Sequence, residues 1–149
     1  MADVPFHHVT LRSFAYATED EKRVLDALQE IVPAETKFDR SVIEGHHGDS
    51  IVLLEATLDS SGEIAALLER LPGVPGFDRL RTDISERIDE DVNLFMRFDK
   101  QRAFQGELAF GEGVHLQGKV EAYPANREAA IDSVTEALDE FAEAYHGTP

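Results

Sequence analysis

Between Val92 and Leu108, in the run VNLFMRFDKQRAFQGEL, the chain gathers Arg97, Lys100 and Arg102 beside Phe95, Phe98 and Phe104. The formal net charge of the whole is -16, so cations clustered with aromatic rings run against everything around them. Guanidinium and ammonium groups neutralise phosphate, and flat rings stack on unpaired bases. One account of Asp99-Lys100-Gln101-Arg102 is that Lys100 and Arg102 contact phosphate while Gln101 or Gln105 hydrogen-bonds a base or ribose. The other is a strand-to-helix corner, with Asp99 capping the turn, the cations solvated and Gly106 permitting a bend.

The elements that must position these groups follow from hydrophobic periodicity. Pro5 to Tyr16 alternates, with Val9, Leu11 and Ala15 on one side and His8, Thr10, Arg12 and Phe14 on the other. Thr18-Glu19-Asp20-Glu21 has the pattern of a capping box, ahead of Val24, Leu28, Ile31 and Val32 at helical spacing. Lys37 to Glu44 and Ser50 to Leu58 form an expected hairpin around His46-His47-Gly48-Asp49. Ser60-Ser61-Gly62-Glu63 opens a second helix that stops before Pro72, and Phe77, Leu80, Ile84 and Ile88 mark a third. Beyond the strand from Val92, Glu107 to Phe110 and Val114 to Tyr123 are expected to pair. Asn126 then caps a final amphipathic helix carrying Ala130, Ile131, Val134, Leu138 and Phe141. The expected fold class is α+β, an antiparallel or mixed sheet with helices packed on one face, in one domain over residues 1–149.

Period-2 alternation sharpens this. If Val9-Leu11, Val92-Leu94-Met96-Phe98 and Val114-Leu116-Val120-Ala122 face the helices, the opposite face carries Arg12, Phe14, Phe95, Arg97, His115, Gln117, Lys119 and Tyr123. Lys100 and Arg102 would lie at its edge. Such a face is a stacking platform for single-stranded RNA, each stacked base contributing about 1–3 kcal/mol. The same alternation also suits a plain sheet back or a protein contact, because arginine and aromatic residues have places on any strand.

With these segments, His7-His8-Val9-Thr10-Leu11-Arg12, Ala17-Thr18-Glu19-Asp20-Glu21, Glu44-Gly45-His46-His47-Gly48 and Val120-Glu121-Ala122-Tyr123-Pro124, the chain resembles an archaeal family of predicted RNA-binding proteins. That family is often labelled a predicted exosome subunit. The most specific piece is Phe98-Asp99-Lys100-Gln101-x-Ala103-Phe104-x-Gly106, and the resemblance spans nearly the whole chain. It implies a fold similar to the large-subunit ribosomal protein that holds 5S rRNA, no assigned catalytic chemistry and no cofactor. The expected partner is RNA, single-stranded or ribosomal, in RNA processing or decay. The alternative is a subunit that docks on exosome or ribosome proteins without touching RNA.

Other chemistries find little support. Cysteine is absent, which removes disulfides, thiolate metal sites and cysteine nucleophiles together. His7-His8 and His46-His47 are adjacent, and neighbours on a strand point apart, so neither pair chelates one ion as a unit. Asp89-Glu90-Asp91 with Asp99 could hold Mg²⁺ for phosphodiester cleavage, but in so acidic a chain a run of three acids is expected often. No P-loop, nucleophile elbow or deaminase spacing occurs. No apolar run approaches the roughly 20 residues needed to cross a bilayer, and a cytoplasmic protein is expected. At 149 residues the chain should bury roughly 70% of its unfolded surface. The 30 acids against 14 bases are spread over every expected helix, which suits a solvated shell in a salt-loaded, halophilic cytoplasm where repulsion is screened within about 3 Å at 1 M salt.

Overall fold

Five segments become the strands of one sheet in the computed structural model, which describes residues 4–44 and 48–147. The strands are β1 (Phe6–Ala15), β2 (Asp39–Glu44), β3 (Ser50–Leu58), β4 (Asn93–Asp99) and β5 (Gly113–Val120). Their order is β2-β3-β1-β5-β4, and every neighbouring pair is antiparallel. The helices are α1 (Glu21–Gln29), α2 (Ser61–Leu68), α3 (Phe77–Thr82), α4 (Lys100–Phe104) and α5 (Arg127–His146), giving an α+β fold. The hairpin of β2 and β3 forms as expected, but its residues Gly45, His46 and His47 lie outside the described residues.

Register explains how the core is made. Leu11 stands opposite Ala56 on one side and Leu116 on the other, Leu116 opposite Met96, and Phe98 opposite Val114. All of these side chains are buried. All but Ala56 join Val24 and Leu28 of α1, Ile64 and Leu68 of α2, and Val134, Leu138 and Phe141 of α5 in one apolar cluster. Each such side chain contributes about 1.5–3 kcal/mol by leaving water. Gly118 breaks the inner row of β5, and the ring of Phe6 occupies the space, 2.7 Å from where a Cβ would stand.

Several local expectations are corrected. The cap of α1 is Asp20, which accepts from the Lys22 N–H at 3.0 Å; Thr18 belongs to the preceding turn, where Glu19 accepts from the Tyr16 N–H. The third helix is not continuous to Ile88. It ends at Thr82, a single 3₁₀ turn follows at Ile84–Glu86, and the chain then extends so that Ile88 bridges Leu94 on the outer edge of β4. Glu107 to Phe110 is not a strand, because Glu107 turns back to the Arg102 carbonyl at 3.0 Å and Phe110 makes only an isolated bridge to Phe98. Ser60 and Asn126 do cap α2 and α5, accepting from Glu63 N at 3.2 Å and Ala129 N at 2.8 Å.

Candidate nucleic-acid interface

The helix-free face of the sheet carries a single rung of charged residues across all five strands. Asp39 stands opposite Glu55, Glu55 opposite Arg12, Arg12 opposite His115, and His115 opposite Arg97. The rung is acidic on β2 and β3 and basic or basic-capable on β1, β5 and β4. The next rung runs Thr57, Thr10, Gln117 and Phe95. Opposite residues on adjacent strands share a face, so Arg12, Phe95, Arg97, His115 and Gln117 project together.

These side chains border a cavity of about 650 Å³, together with Phe14 and the segment Glu86 to Asp89. That volume suits a base with its ribose and phosphate, since small-molecule sites run from about 300 to 1,000 Å³. Phe95 is exposed on this face at 43%, which is uncommon for a ring in a strand centre and leaves it free to stack. Among the described residues Arg12 forms no ion pair, although Glu55 and His115 flank it. Arg97 binds Glu112 at 3.0 Å, with both side chains well exposed. The contact is worth at most about 1 kcal/mol and is easily exchanged for phosphate.

Sequence periodicity missed Arg87. Ile84 and Ile88 sit four residues apart, which mimics a helix face and conceals the extended run at Arg87-Ile88-Asp89. In the structure the Phe95 N–H donates to the Arg87 carbonyl at 2.8 Å and the Asp89 N–H to the Asn93 carbonyl at 3.0 Å. Arg87 thereby reaches the cavity from the rim of β4. Its Nε is buried with no hydrogen-bond partner among the described residues, an arrangement that normally has a cause. His115 and Gln117 were placed on this face by alternation, and they too line the cavity.

Other expected site residues are not part of it. Lys100 is buried, not an exposed cation at the edge: its Nζ donates to the Phe14 carbonyl at 2.6 Å and to Glu19 Oε1 at 2.8 Å, and lies 5.2 Å from the Tyr16 ring centre. Asp99 caps α4 by accepting from the Arg102 N–H at 3.0 Å, as the corner account expects, but Lys100 is buried where that account has it solvated. Gly113, at φ 109°, lets β5 begin against Lys100, whose Cβ would be 2.6 Å from any Cβ added there. Burial opposes ionisation of Glu19, but the hydrogen bonds from Lys100 and the Tyr16 N–H outweigh it and hold the carboxyl below its ordinary range.

Gln101 is exposed on α4, away from the cavity. Arg102 binds Glu107 at 2.8 Å beside a separate hollow that includes Asp99 and Phe110. Lys119 opposes His8 and Asn93 on the outer face, but its Nζ donates to the Asp91 carbonyl at 2.6 Å. Tyr123 lies beyond β5, which stops at Val120. It is 82% exposed and lines another hollow, with His7, Asp59, Glu121 and Glu136. Strand alternation therefore did not extend to it. Phe98 and Phe104 leave the aromatic cluster as well: Phe98 is in the core, and Phe104 packs under Arg23, 5.6 Å away.

The acidic run has a structural task. Asp89 Oδ1 accepts from the Asp91 N–H at 3.0 Å and from the Asn93 N–H at 2.9 Å, folding the turn into β4. Among the described residues no group of three or more histidines and acids could hold a metal ion. A bulge between Phe6 and His8 turns both His7 and His8 to the surface, and His7 lies 3.9 Å from Glu121. Nor is any helix among the described residues long and apolar enough to cross a membrane.

The chain is similar over most of its length to archaeal proteins, one of them named as RNA-binding. An RNA-binding protein of Pyrococcus abyssi is 36% identical over 144 residues, 89% of this chain and 94% of the relative. An uncharacterised protein of Methanocaldococcus jannaschii is 26% identical over 85% of this chain and 93% of its own length. The structure of a DUF54 protein from Methanothermobacter thermautotrophicus superposes with a TM-score of 0.76 at 36% identity, covering 89% of this chain and 98% of that one. A family model described as RNA binding matches residues 8–120, from β1 to the end of β5, and the chain belongs to that RNA-binding family.

Proposed function

We propose that the outer face of the sheet between β1 and β4 binds unpaired RNA without catalysing its cleavage. The observation that carries this is the cavity bordered by Arg12, Arg87, Arg97 and Phe95, in which Arg12 has no ion-pair partner among the described residues and Phe95 is exposed, within a chain of net charge -16. Phe95 offers a stacking surface, with Phe14 at the margin. The arginines neutralise phosphate, and Gln117 and His115 supply hydrogen bonds to a base or ribose. Lys119, Arg102 and Gln101 are left as outlying contacts for a longer strand. Lys100 serves the fold instead. The protein acts as one cytoplasmic domain in RNA processing or decay, beside the exosome or on ribosomal RNA, and its carboxylate shell suits a salt-rich cell.

Photocrosslinking tests this. A short uridine-rich RNA is irradiated with the folded protein, and the crosslinked peptides are identified by mass spectrometry. Crosslinks should concentrate in β1, β4 and β5, with Phe95 foremost. Crosslinks confined to the α4 corner or to the surroundings of Tyr123 would reject this face as the site. An absence of crosslinks would favour docking on a protein partner.

A further inference from the structure

The two edges of the sheet are treated differently. At β4 the outer edge is occupied by the chain's own segment, through the Ile88 to Leu94 bridge and the backbone hydrogen bond from Phe95 to Arg87. At the other end β2 is the last strand, and nothing among the described residues pairs with its free side. Every residue of β2 is exposed, including Val42 at 54% and Ile43 at 43%. The strand, Asp39-Arg40-Ser41-Val42-Ile43-Glu44, has no lysine, proline or glycine, and its charges, Asp39, Arg40 and Glu44, are of both signs, so they discourage only strands that do not match them. Open edges of this kind usually carry such devices, because their free N–H and C=O groups are a template for strand addition.

We infer that β2 is the self-association surface, and that a second copy of this chain adds its own β2 antiparallel about a two-fold axis at Val42. Charge selects both the occupant and the register. With Val42 opposite Val42 of the second copy, Arg40 of each chain stands opposite Glu44 of the other, twice over, on the same face as the valine pair. Moving the axis to lie between Ser41 and Val42 would set Asp39 against Glu44, two like charges. Arg40 reaches Glu21 of its own helix at 2.8 Å, and this exposed pair leaves the guanidinium free to exchange. The product is a continuous ten-stranded sheet. A two-fold of this kind puts both helix-free faces on one side, with the two β5 strands roughly 30–35 Å apart at about 4.8 Å per strand. This inference does not depend on RNA binding.

Sedimentation velocity of the full chain in molar KCl, which screens the net charge, tests it from low micromolar to millimolar concentration. The wild type should pass from monomer to dimer with rising concentration. Arg40→Glu and Glu44→Arg each oppose like charges across the axis and should raise the concentration needed by about tenfold or more. The double variant restores opposite charges and should regain the dimer, whereas the lost contact to Glu21 cannot be rescued that way. Circular dichroism checks that all four proteins are folded. A wild type that stays monomeric throughout, a dimer indifferent to both single changes, or a double variant that remains monomeric would each overturn the inference.

Discussion

Lys100 shows how one side chain can be misjudged from charge alone. Its ammonium lies against the Phe14 carbonyl and Glu19, under the Tyr16 ring, and so ties β1, the turn before α1 and the α4 corner together. Lys100→Ala should lower stability in urea unfolding by about 2–3 kcal/mol, since it leaves a partly buried carboxylate and a carbonyl unsatisfied. The RNA affinity of the folded variant should not change. Glu19 is held below its ordinary range in the folded state, so its contribution is complete above the unfolded carboxyl's value and fades as pH falls through the folded one. Glu19→Gln should therefore cost most stability at neutral pH, with the gap narrowing in acid; a gap that widens in acid would contradict the pairing. Arg97 gives a prediction of opposite sign. Glu112→Gln frees it from its ion pair and should tighten RNA binding a few-fold at low salt, in keeping with about 0.2–1 kcal/mol for an exposed pair. Weaker binding would mean that Arg97 does not contact the ligand.

Four of the strands, β1, β3, β4 and β5, were legible because one face of each is apolar. The inner rows at Leu11, Leu94, Met96 and Leu116 fix the register, and with it the opposite face that carries Arg12, Phe95 and Arg97. Alternation has no end marker of its own, which is why Tyr123 was assigned to a strand that stops three residues earlier. Helical spacing failed for a related reason. Ile84 and Ile88 both enter the core, one from a 3₁₀ turn and one from an extended segment, and burial alone imitates a continuous helix. Arg87 was hidden with it. The corner at Asp99 was open to two accounts because capping and phosphate contact call on the same residue types. Gly113 tests the corner as built. Gly113→Ala should destabilise by about 2–3 kcal/mol, from the positive φ and the crowding against Lys100, and an effect below about 0.5 kcal/mol would show that β5 enters differently.

At the scale of the whole molecule, acids lie close around the arginines of the groove and line part of it. Glu55, Glu86, Asp89 and Glu112 all lie near the arginines, so the field there is mixed and salt sets how strongly phosphate is attracted. Lowering KCl from molar to about 0.1 M lengthens the screening distance to about 10 Å and should lower the melting temperature of this chain of charge -16. A melting temperature that rises as salt is removed would contradict a shell adapted to salt.

If RNA lies on the helix-free sheet face, Phe95 sits beneath a base. In molar KCl phosphate contacts supply little net drive, and stacking must account for much of the affinity. The measurement is fluorescence anisotropy of a labelled single-stranded RNA in molar KCl, with folded wild type, Phe95→Ala and Tyr123→Ala compared side by side. Phe95→Ala should weaken binding by about 1–3 kcal/mol while Tyr123→Ala, on a separate hollow, matches the wild type. Equal affinity of Phe95→Ala and wild type, or a loss confined to Tyr123→Ala, would contradict the account.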